Sequence, residues 1–225
     1  MILYEITGTE DHPVYRNLEI ANGNRQYDFM ASIISVSLEI GRPLLSQTLI
    51  KAFNFQAIAC LHVNAGEYRP CPVEVGNYKP PAHYRVDALM EDFVNYANRM
   101  WESTDAVVLA AFVLWRINQI HPFINGNGRT ARASCYFVLC AKLGGLLPGT
   151  TMLPELLRRD RDEYVIALKA ADESYAKGSV DLQPLHTLIS RLLAEQLASS
   201  QESEEPNNNV AAADNPQEPA QPPAV

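Results

Sequence analysis

One helix constrains the fold of this chain more than any other feature. The run Val107–Leu114 is apolar on nearly every side. A helix without a polar face is usually the buried centre of its domain. The helix reaches Ile120 and should end there, because the proline of the His121-Pro122 step disfavours a helical conformation at the residue before it. The sequence therefore predicts a helical domain built around this segment.

Six further stretches show helical spacing of apolar residues or helix-capping signals. They cover residues 27–38, 46–61, 86–100, 129–142, about 160–172 and about 184–198. Pro43 should limit the first of them. Between the second and third, residues 63–82 alternate Gly, Asn and Pro with short β-prone pieces, which favours a hairpin. The predicted fold class is mainly α, a helical bundle with a small β-hairpin flap.

The composition of the chain changes from Ser199 onward. Residues 199–225 hold five of the 15 prolines and five of the 26 acidic residues, with no basic residue. Such a segment cannot bury enough apolar surface to offset the entropy lost on ordering. We therefore predict an N-terminal segment over 1–24, a helical domain over 25–198, and a disordered acidic Pro/Asn/Ala-rich tail over 199–225.

Charge and hydropathy exclude two classes of partner. Eighteen basic residues face 26 acidic ones, and the net charge of −8 disfavours nucleic acid and anionic membrane surfaces. The longest apolar run, Ala106–Trp115, is far short of the roughly 20 residues that cross a bilayer. The four cysteines show no zinc-like spacing. We expect a soluble, cytoplasmic protein, and a homo-oligomer is left open.

The segment that carries chemistry runs from His121 to Arg132 and is HPFINGNGRTAR. An unperturbed histidine has a pKa near ~6.5, suited to proton transfer at neutral pH. The Gly-Asn-Gly turn leads into a helix, and the free amides of a helix start bind anions. Arg129 and Arg132 lie three apart, hence on one helix face, where both can bind phosphate oxygens. The pattern indicates a base beside a polyphosphate site, although no GxxxxGK(S/T) P-loop is present.

This segment resembles the signature of the Fic (filamentation induced by cAMP) family, HPFx(D/E)GNGRxxR, at every fixed position except the acidic one, which is Asn125. The similarity extends over about residues 25–195 and includes the turn at 66–69, Pro80-Pro81 and Tyr164. It implies a Fic-type bundle in which the motif joins two central helices beneath the flap. It also implies transfer of AMP from ATP to a Tyr, Thr or Ser hydroxyl of a target protein.

The resemblance assigns roles to matching residues. His121 would be the general base that takes the hydroxyl proton. The nucleotide would be bound by Asn125, Gly126, Asn127, Gly128, Arg129 and Arg132. Of these, the amides of 126–128 would hold the α-phosphate, Arg129 the outer phosphates and Arg132 the γ-phosphate. Glu67, Tyr68 and Arg69 of the flap would position the target backbone by strand addition. For Glu67 and Arg69, an exposed hairpin residue without that role is an equal interpretation.

Asn125 is the departure from the signature. The family's acid at this position binds the Mg²⁺ that bridges the α- and β-phosphates. An amide oxygen can ligate Mg²⁺, but it brings no charge and should bind it more weakly. Three interpretations remain: slow AMP transfer with the metal held mainly by phosphates, transfer of another phosphate-containing group, or a nucleotide-binding module without chemistry. The GNG centre differs from the ANK of the phosphate-transferring Doc branch, so we place AMP transfer first.

A second pattern lies upstream. Residues 35–39, SVSLE, fit the first five positions of the family's inhibitory motif (S/T)xxxE(G/N), and Ile40 departs at the sixth. By this resemblance Glu39 would pair with Arg132 and inhibit ATP binding. A solvated surface glutamate is an equal alternative.

Overall fold

The computed structural model describes residues 2–42 and 45–201. The predictions for Pro43 and for the tail beyond Gln201 therefore lie outside the described residues. The mainly α fold class is confirmed. Within those ranges the helices are α1 (Leu3–Thr7), α2 (Pro13–Ile40), α3 (Gln47–Ile58), α4 (Val86–Arg99, preceded by a short 3-10 helix, His83–Arg85), α5 (Ala106–Ile120), α6 (Asn127–Leu143), α7 (Leu153–Arg159), α8 (Arg161–Ala176) and α9 (Gln183–Gln201).

Helix α5 lies at the centre of the domain, as its apolar sequence predicts. The Asp105 side chain caps it by accepting hydrogen bonds from the amides of Val107 and Val108. Trp115, near its C-terminal end, is fully buried, and its indole N–H donates to Asp172 at 2.8 Å. Helix α6 packs along α5 and is buried over most of its length. The loop between these two helices is thereby held at the edge of the core.

Helix α2 begins much earlier than its apolar spacing indicates. It starts at Pro13, where His12 accepts a hydrogen bond from the amide of Val14 and proline occupies the first turn. The prediction that helix begins near Tyr27 is wrong, because residues 13–26 present few apolar side chains in a regular stripe and are held by tertiary contacts. The short α1 is tied to the end of α3 by main-chain bonds from Leu3 and Tyr4. Residues 2–24 thus form an ordered N-terminal arm against the domain.

The hairpin predicted over 63–82 is reduced to two isolated antiparallel bridges. One joins Tyr68 to Phe123, and the other joins Val75 to Tyr78 around the two-residue turn Gly76-Asn77. Among the described residues of this segment, no strand extends beyond these single bridges. Prolines at 70, 72, 80 and 81 lack the main-chain N–H that a ladder needs, which explains the short pairing. We keep the name flap for residues 67–82.

The C-terminal quarter of the described chain consists of α7, α8 and α9. Helix α7 was not predicted, since seven residues are too few to show a clear period. Helix α9 runs from Gln183 to Gln201 and so continues three residues beyond the predicted end. Throughout residues 2–42 and 45–201, we find no helix with both the length and the apolar character that crossing a membrane demands.

Candidate active site

The loop 121–126 connects the two central helices through two left-handed residues. His121 closes α5 with φ 52° and ψ 60°, and its amide still donates to the carbonyl of Ile117 at 2.9 Å. Gly126 precedes α6 with φ 76°. A left-handed conformation at a residue other than glycine is uncommon and is often found at functional sites. The backbone therefore turns sharply at both ends of the loop.

Two asparagines hold this loop in shape. The Asn127 side chain accepts from the amide of Phe123 and donates to the Phe123 carbonyl, each at 2.9 Å. Asn54 of α3 is buried and donates to the carbonyl of Asn125 at 2.9 Å, while its oxygen accepts from the amide of Gly66 at 3.0 Å. No sequence pattern indicates this role of Asn54, because a single asparagine in an amphipathic helix has no periodicity.

Gly126 is required by space as well as by its backbone conformation. A Cβ atom at this position would lie 2.6 Å from Cγ2 of Ile58 and 3.0 Å from Nδ2 of Asn54. Real Cβ contacts are longer, so any other residue would push α3 away from the start of α6. The close approach of these two helices shapes the site.

The first turn of α6 presents unused hydrogen-bond donors. The amides of Asn127, Gly128 and Arg129 find no acceptor in the part of the chain that the structure describes, and no side chain caps the helix. These groups point beyond the helix N-terminus, where the helix dipole favours negative charge. This turn is therefore ready to bind an anion such as a phosphate.

Arg132 lies beside the same turn. A Cβ on Gly128 would be 3.3 Å from Nη1 of Arg132, so the guanidinium covers Gly128. It makes no hydrogen bond or ion pair with any residue in the described ranges. Burial lowers its pKa, and the neighbouring cations Arg129, Arg158 and Arg161 act in the same direction. An unpaired arginine among other cations, next to free amides, forms a positive patch with the chemistry to bind a polyanion.

Tyr164 of α8 lies near this positive patch. Its hydroxyl accepts a hydrogen bond from Nδ2 of Asn118 at 2.8 Å, and it is close enough to Arg132 to interact electrostatically. Burial raises the pKa of Tyr164, so the phenol stays neutral beside the guanidinium. Asn118 also donates to the carbonyl of Leu114 in α5. The pair joins α8 to the helix that carries His121.

Arg129 is engaged differently from Arg132. Its Nη1 lies 3.0 Å from a carboxylate oxygen of Glu19 and donates to the carbonyl of Ala57 at 3.1 Å. Its Nη2 donates to Oδ1 of Asn125 at 2.9 Å. Glu19 belongs to the N-terminal arm, for which the sequence indicated no role at the site. The two arginines of the motif therefore have different surroundings. Arg129 has partners, whereas the Arg132 side chain has none among the described residues.

Asn125 connects the motif to the N-terminal arm. While its oxygen accepts from Arg129, its Nδ2 donates to a carboxylate oxygen of Glu10 at 3.0 Å. The same Glu10 oxygen lies 3.0 Å from Nε2 of buried His62, which also lies 2.8 Å from the hydroxyl of Tyr15. A carboxylate thus lies within hydrogen-bonding distance of the position that lacks the signature's acid.

The pKa of His121 falls to about 4. Burial is the main cause, because it penalises the charged imidazolium, and the positive charge of Arg69 adds to the effect. A hydrogen bond to the main chain of Asn118 acts in the opposite direction. His121 is consequently neutral at pH 7 and able to accept a proton.

Arg69 is buried, with 3% of its surface exposed, so its interpretation as an exposed hairpin residue is wrong. The side chain donates to the carbonyls of His121, at 2.8 Å, and of Cys71 and Pro81. Its amide donates to the carbonyl of Pro122 at 2.8 Å. Three carbonyls can compensate one buried guanidinium, which explains why burial is tolerated. Arg69 fastens the flap to the motif loop.

The other two flap residues differ from Arg69. Glu67 is exposed and pairs with Lys51 at 3.3 Å. The Tyr68 hydroxyl donates to Gln47 at 3.1 Å, and its ring packs on Phe123 with the centroids 5.5 Å apart. The structure therefore brings 67–69 beside the motif, and a role in positioning a target stays a prediction.

The Glu39–Arg132 pair that the inhibitory pattern predicts is not formed between these described residues. Glu39 is exposed and lies one residue before the end of α2. The acid that pairs with a motif arginine is Glu19, twenty residues earlier on the same helix. An inhibitory role of Glu39 stays a prediction.

Comparison with known proteins finds similarity to one family. Residues 44–139 match the model of the Fic/DOC family. Two relatives named Protein adenylyltransferase Fic, from Drosophila willistoni and Drosophila yakuba, are 33% and 34% identical over 112 residues. The match covers 49% of this chain but 21% of each of those proteins, so the chain spans about a fifth of their length.

Solved structures show the same fold. Fic-1 (aa134–508) from C. elegans aligns with a TM-score of 0.69 at 20% identity, covering 89% of this chain and 56% of that one. A Fic domain containing signaling protein from Bacteroides thetaiotaomicron aligns with a TM-score of 0.62 at 22% identity. The alignment covers 82% of this chain and 71% of that one. The predicted Fic-type bundle is confirmed.

Proposed function

Since the chain carries a domain of the Fic/DOC family, we propose that it is a protein adenylyltransferase, which transfers AMP from ATP to a hydroxyl side chain of a target protein. The observation that carries this proposal is the positive patch at the start of α6. There, three free amides and the unpaired guanidinium of Arg132 surround the space next to the loop of His121. Free amides and a lone arginine suit a triphosphate, whose charge is distributed along its length.

The reaction follows from these groups. The neutral imidazole of His121 accepts the proton of the attacking Tyr, Thr or Ser hydroxyl. The hydroxyl oxygen forms a bond to the α-phosphorus of ATP, and the bond from that phosphorus to the bridging oxygen breaks, releasing pyrophosphate. The amides of the α6 turn stabilise the charge that develops on the α-phosphate. Arg132 holds the outer phosphates so that the α-phosphate faces His121.

A low pKa suits His121 in the resting enzyme, but a base must bind its proton in the transition state. A bound triphosphate places negative charge near the ring and raises the pKa of His121 from its resting value of about 4. The imidazole is thus neutral before ATP binds and becomes more basic when the substrate is present. Because the pKa of His121 is low before ATP binds, the imidazole is unprotonated at physiological pH when the substrate arrives.

Mg²⁺ fits this site only weakly through its protein donors. Asn125 offers one neutral oxygen, which already accepts from Arg129, and Glu10 is the nearest carboxylate to the Asn125 side chain. We propose that Asn125 would hold the ion with the phosphates of ATP supplying most of its ligands. When bound, the ion neutralises phosphate charge. No residue of the motif, 121–132, has a carboxylate.

We further propose that the N-terminal arm restrains this activity. Nη1 of Arg129 forms an ion pair with Glu19, and its Nη2 donates a hydrogen bond to Asn125. An incoming phosphate has to compete with the Glu19 carboxylate for this arginine. The restraint is modest, because both side chains are partly exposed and such ion pairs contribute little free energy.

A labelling experiment tests the proposed function. The full chain is incubated with ATP labelled at the α-phosphate, and separately at the γ-phosphate, with Mg²⁺ or Mn²⁺ and with or without a cell extract. Transfer of AMP should label protein from the α-position and not from the γ-position. His121→Ala should abolish the label while ATP binding, measured by calorimetry, changes less than about threefold, because the imidazole acts on the hydroxyl.

The nucleotide-binding module is the second candidate, and the replacement of the motif acid by Asn125 favours it. It predicts ATP binding by the wild type with no label from either position. Label from the γ-phosphate alone would instead indicate phosphate transfer. Either result would contradict AMP transfer.

A further inference from the structure

A second groove lies on the surface between α4, α5 and the C-terminal end of α8. Its main cavity has a volume of about 400 Å³ and contains no residue of the loop 121–126. A smaller cavity of about 180 Å³ shares Tyr96, Phe112 and Val180 with it and continues along the surface toward Val108. We call these two cavities together the aromatic groove. The proposed function assigns no role to this groove.

Aromatic rings form the wall of the aromatic groove. The rings of Tyr96 and Phe112 have centroids 4.9 Å apart, and those of Trp115 and Tyr175 lie 5.2 Å apart. Trp115 is buried and forms the floor, whereas Tyr96 and Tyr175 are 44% and 45% exposed. Two large exposed rings flanking a cavity are an apolar surface that a folded chain usually covers.

Positive charge borders the aromatic groove. Arg116 lies over the rings of Trp115 and Tyr175, 5.7 and 5.6 Å from their centroids, and donates to Gln119. The Arg99 side chain makes no hydrogen bond or ion pair within residues 2–42 and 45–201. Asp92 is the acidic residue among those that line the main cavity. The lining therefore has an excess of positive charge and suits an apolar segment with acidic side chains.

The chain contains such a segment beyond its described residues. Residues 214–223 are DNPQEPAQPP, with prolines at 216, 219 and 222 spaced three apart and acids at 214 and 218. Three residues make one turn of a polyproline II helix, so these prolines fall on one edge. Proline-rich segments of this spacing bind grooves lined by aromatic side chains, and the preformed helix loses little entropy on binding.

We propose that residues 214–223 of this chain dock in the aromatic groove, with the proline edge against Tyr96 and Tyr175 and the acids facing Arg99 and Arg116. The chain between α9 and residue 214 is long enough to reach the groove. The groove includes Leu182, next to the start of α9, and α9 ends at Gln201, about 27 Å further along. Residues 202–213 extend to about 40 Å, enough to return. A tether of this kind gives an effective concentration of order mM, so weak contacts suffice.

Docking would also place the tail beside the flap. Arg116 at one end of the groove donates to the Gln119 side chain, and the carbonyl of Gln119 accepts from the hydroxyl of Tyr78 at 2.6 Å. Tyr78 follows the flap turn Gly76-Asn77. A segment that reaches Arg116 therefore ends within a few residues of the flap.

Photo-cross-linking in the full chain tests the proposal. Tyr96→p-benzoylphenylalanine places the probe in the groove, and Tyr84→p-benzoylphenylalanine, at an exposed tyrosine outside it, is the matched control. After irradiation, the monomer is digested and the cross-linked peptides are identified by mass spectrometry. The probe at position 96 should give cross-links to 214–223 at about five times the yield of the control.

Two sets of variants sharpen the result. Replacing Pro216, Pro219 and Pro222 together by alanine should lower the yield at position 96 about threefold or more, and Arg99→Glu should lower it as well. Equal yields from positions 96 and 84 would overturn the proposal, and so would a yield that the proline substitutions leave unchanged. Cross-links found only in a dimer would assign the groove to a second copy and would also overturn docking within one chain.

Discussion

His121 combines a strained backbone conformation with a depressed pKa. Its φ of 52° lets the side chain leave α5 where the helix ends, at the junction with the motif loop. Its pKa of about 4 follows from burial and from Arg69, whose guanidinium donates to the carbonyl of His121 itself. Arg69 therefore both connects the flap to the motif loop and lowers the pKa of His121.

The pH dependence of labelling should reflect this depressed pKa. Protonation removes the base, so kcat/KM should stay level from about pH 8 to pH 5.5 and fall only as the pH approaches the pKa of about 4 in the free enzyme. Initial rates of α-phosphate labelling across this range, with circular dichroism to confirm folding at each pH, measure it. An acid limb centred near 6.5 would show that His121 is not desolvated as described.

Asn125 and Glu10 should be tested together, because an acid at 125 would face Glu10 at hydrogen-bonding distance. In a Glu10→Gln background, Asn125→Asp should lower the Mg²⁺ concentration for half-maximal labelling by about tenfold, since a charged oxygen replaces a neutral one. The comparison is Glu10→Gln alone. An unchanged metal dependence would place residue 125 away from the metal. Calorimetric Mn²⁺ binding in the presence of ATP gives a readout that does not depend on turnover.

At the scale of elements, the N-terminal arm and α2 decide which motif arginine is available. The arm contacts the site through Glu10 and Glu19, while its own position is set by main-chain bonds from α1 to the end of α3 and by the Tyr15–His62 contact. Leucine and tyrosine side chains of the arm pack with Ile58 and Leu61 in a small cluster of their own. An element with its own cluster can shift without disturbing the main core.

Removing the Glu19 carboxylate should release Arg129. We expect Glu19→Gln to raise labelling by up to about fivefold, because a partly exposed ion pair contributes up to about 1 kcal/mol. Glu39→Gln is the matched control, since Glu39 lies on the same helix, is exposed and has no ion pair in the described ranges. Steady-state labelling at subsaturating ATP measures both. A larger gain from Glu39→Gln than from Glu19→Gln would restore the sequence-based assignment of the inhibitory residue.

For the whole molecule, the positive patch at the start of α6 brings together residues that are distant in the sequence. The amides come from residues 127–129, Tyr164 from α8, and the cations Arg158 and Arg161 from the α7–α8 junction. Like charges held together without a counter-ion destabilise the folded state. A bound polyanion should therefore stabilise the whole fold.

ATP should raise the melting temperature of the protein. A ligand at 100 times its Kd adds about 2.7 kcal/mol, which for a chain of this size corresponds to roughly 5–10 °C. Differential scanning fluorimetry in EDTA, which removes metal, measures the shift. Arg132→Ala should remove most of it, and Arg85→Ala, at an exposed arginine on the 3-10 helix before α4, should leave it unchanged. Equal shifts in both variants would place the triphosphate elsewhere.

The sequence by itself determined the features that depend on neighbours along the chain. The apolar run Val107–Leu114 predicted the buried central helix, and Ser46 predicted the start of α3. The HPFINGNGRTAR segment predicted the loop and the match to the Fic/DOC model over residues 44–139. Each of these rests on periodicity, on capping or on a local turn, and such signals lie within a few residues of each other.

Only the tertiary structure decided which polar side chains meet. Nothing near Arg69 in the sequence indicates that three carbonyls compensate its burial, and nothing near Glu19 indicates that it pairs with Arg129 across 110 positions. The short flap pairing likewise depends on Phe123 as a partner for Tyr68. A single polar residue has no period, and its partner is chosen by how helices far apart in the chain pack together.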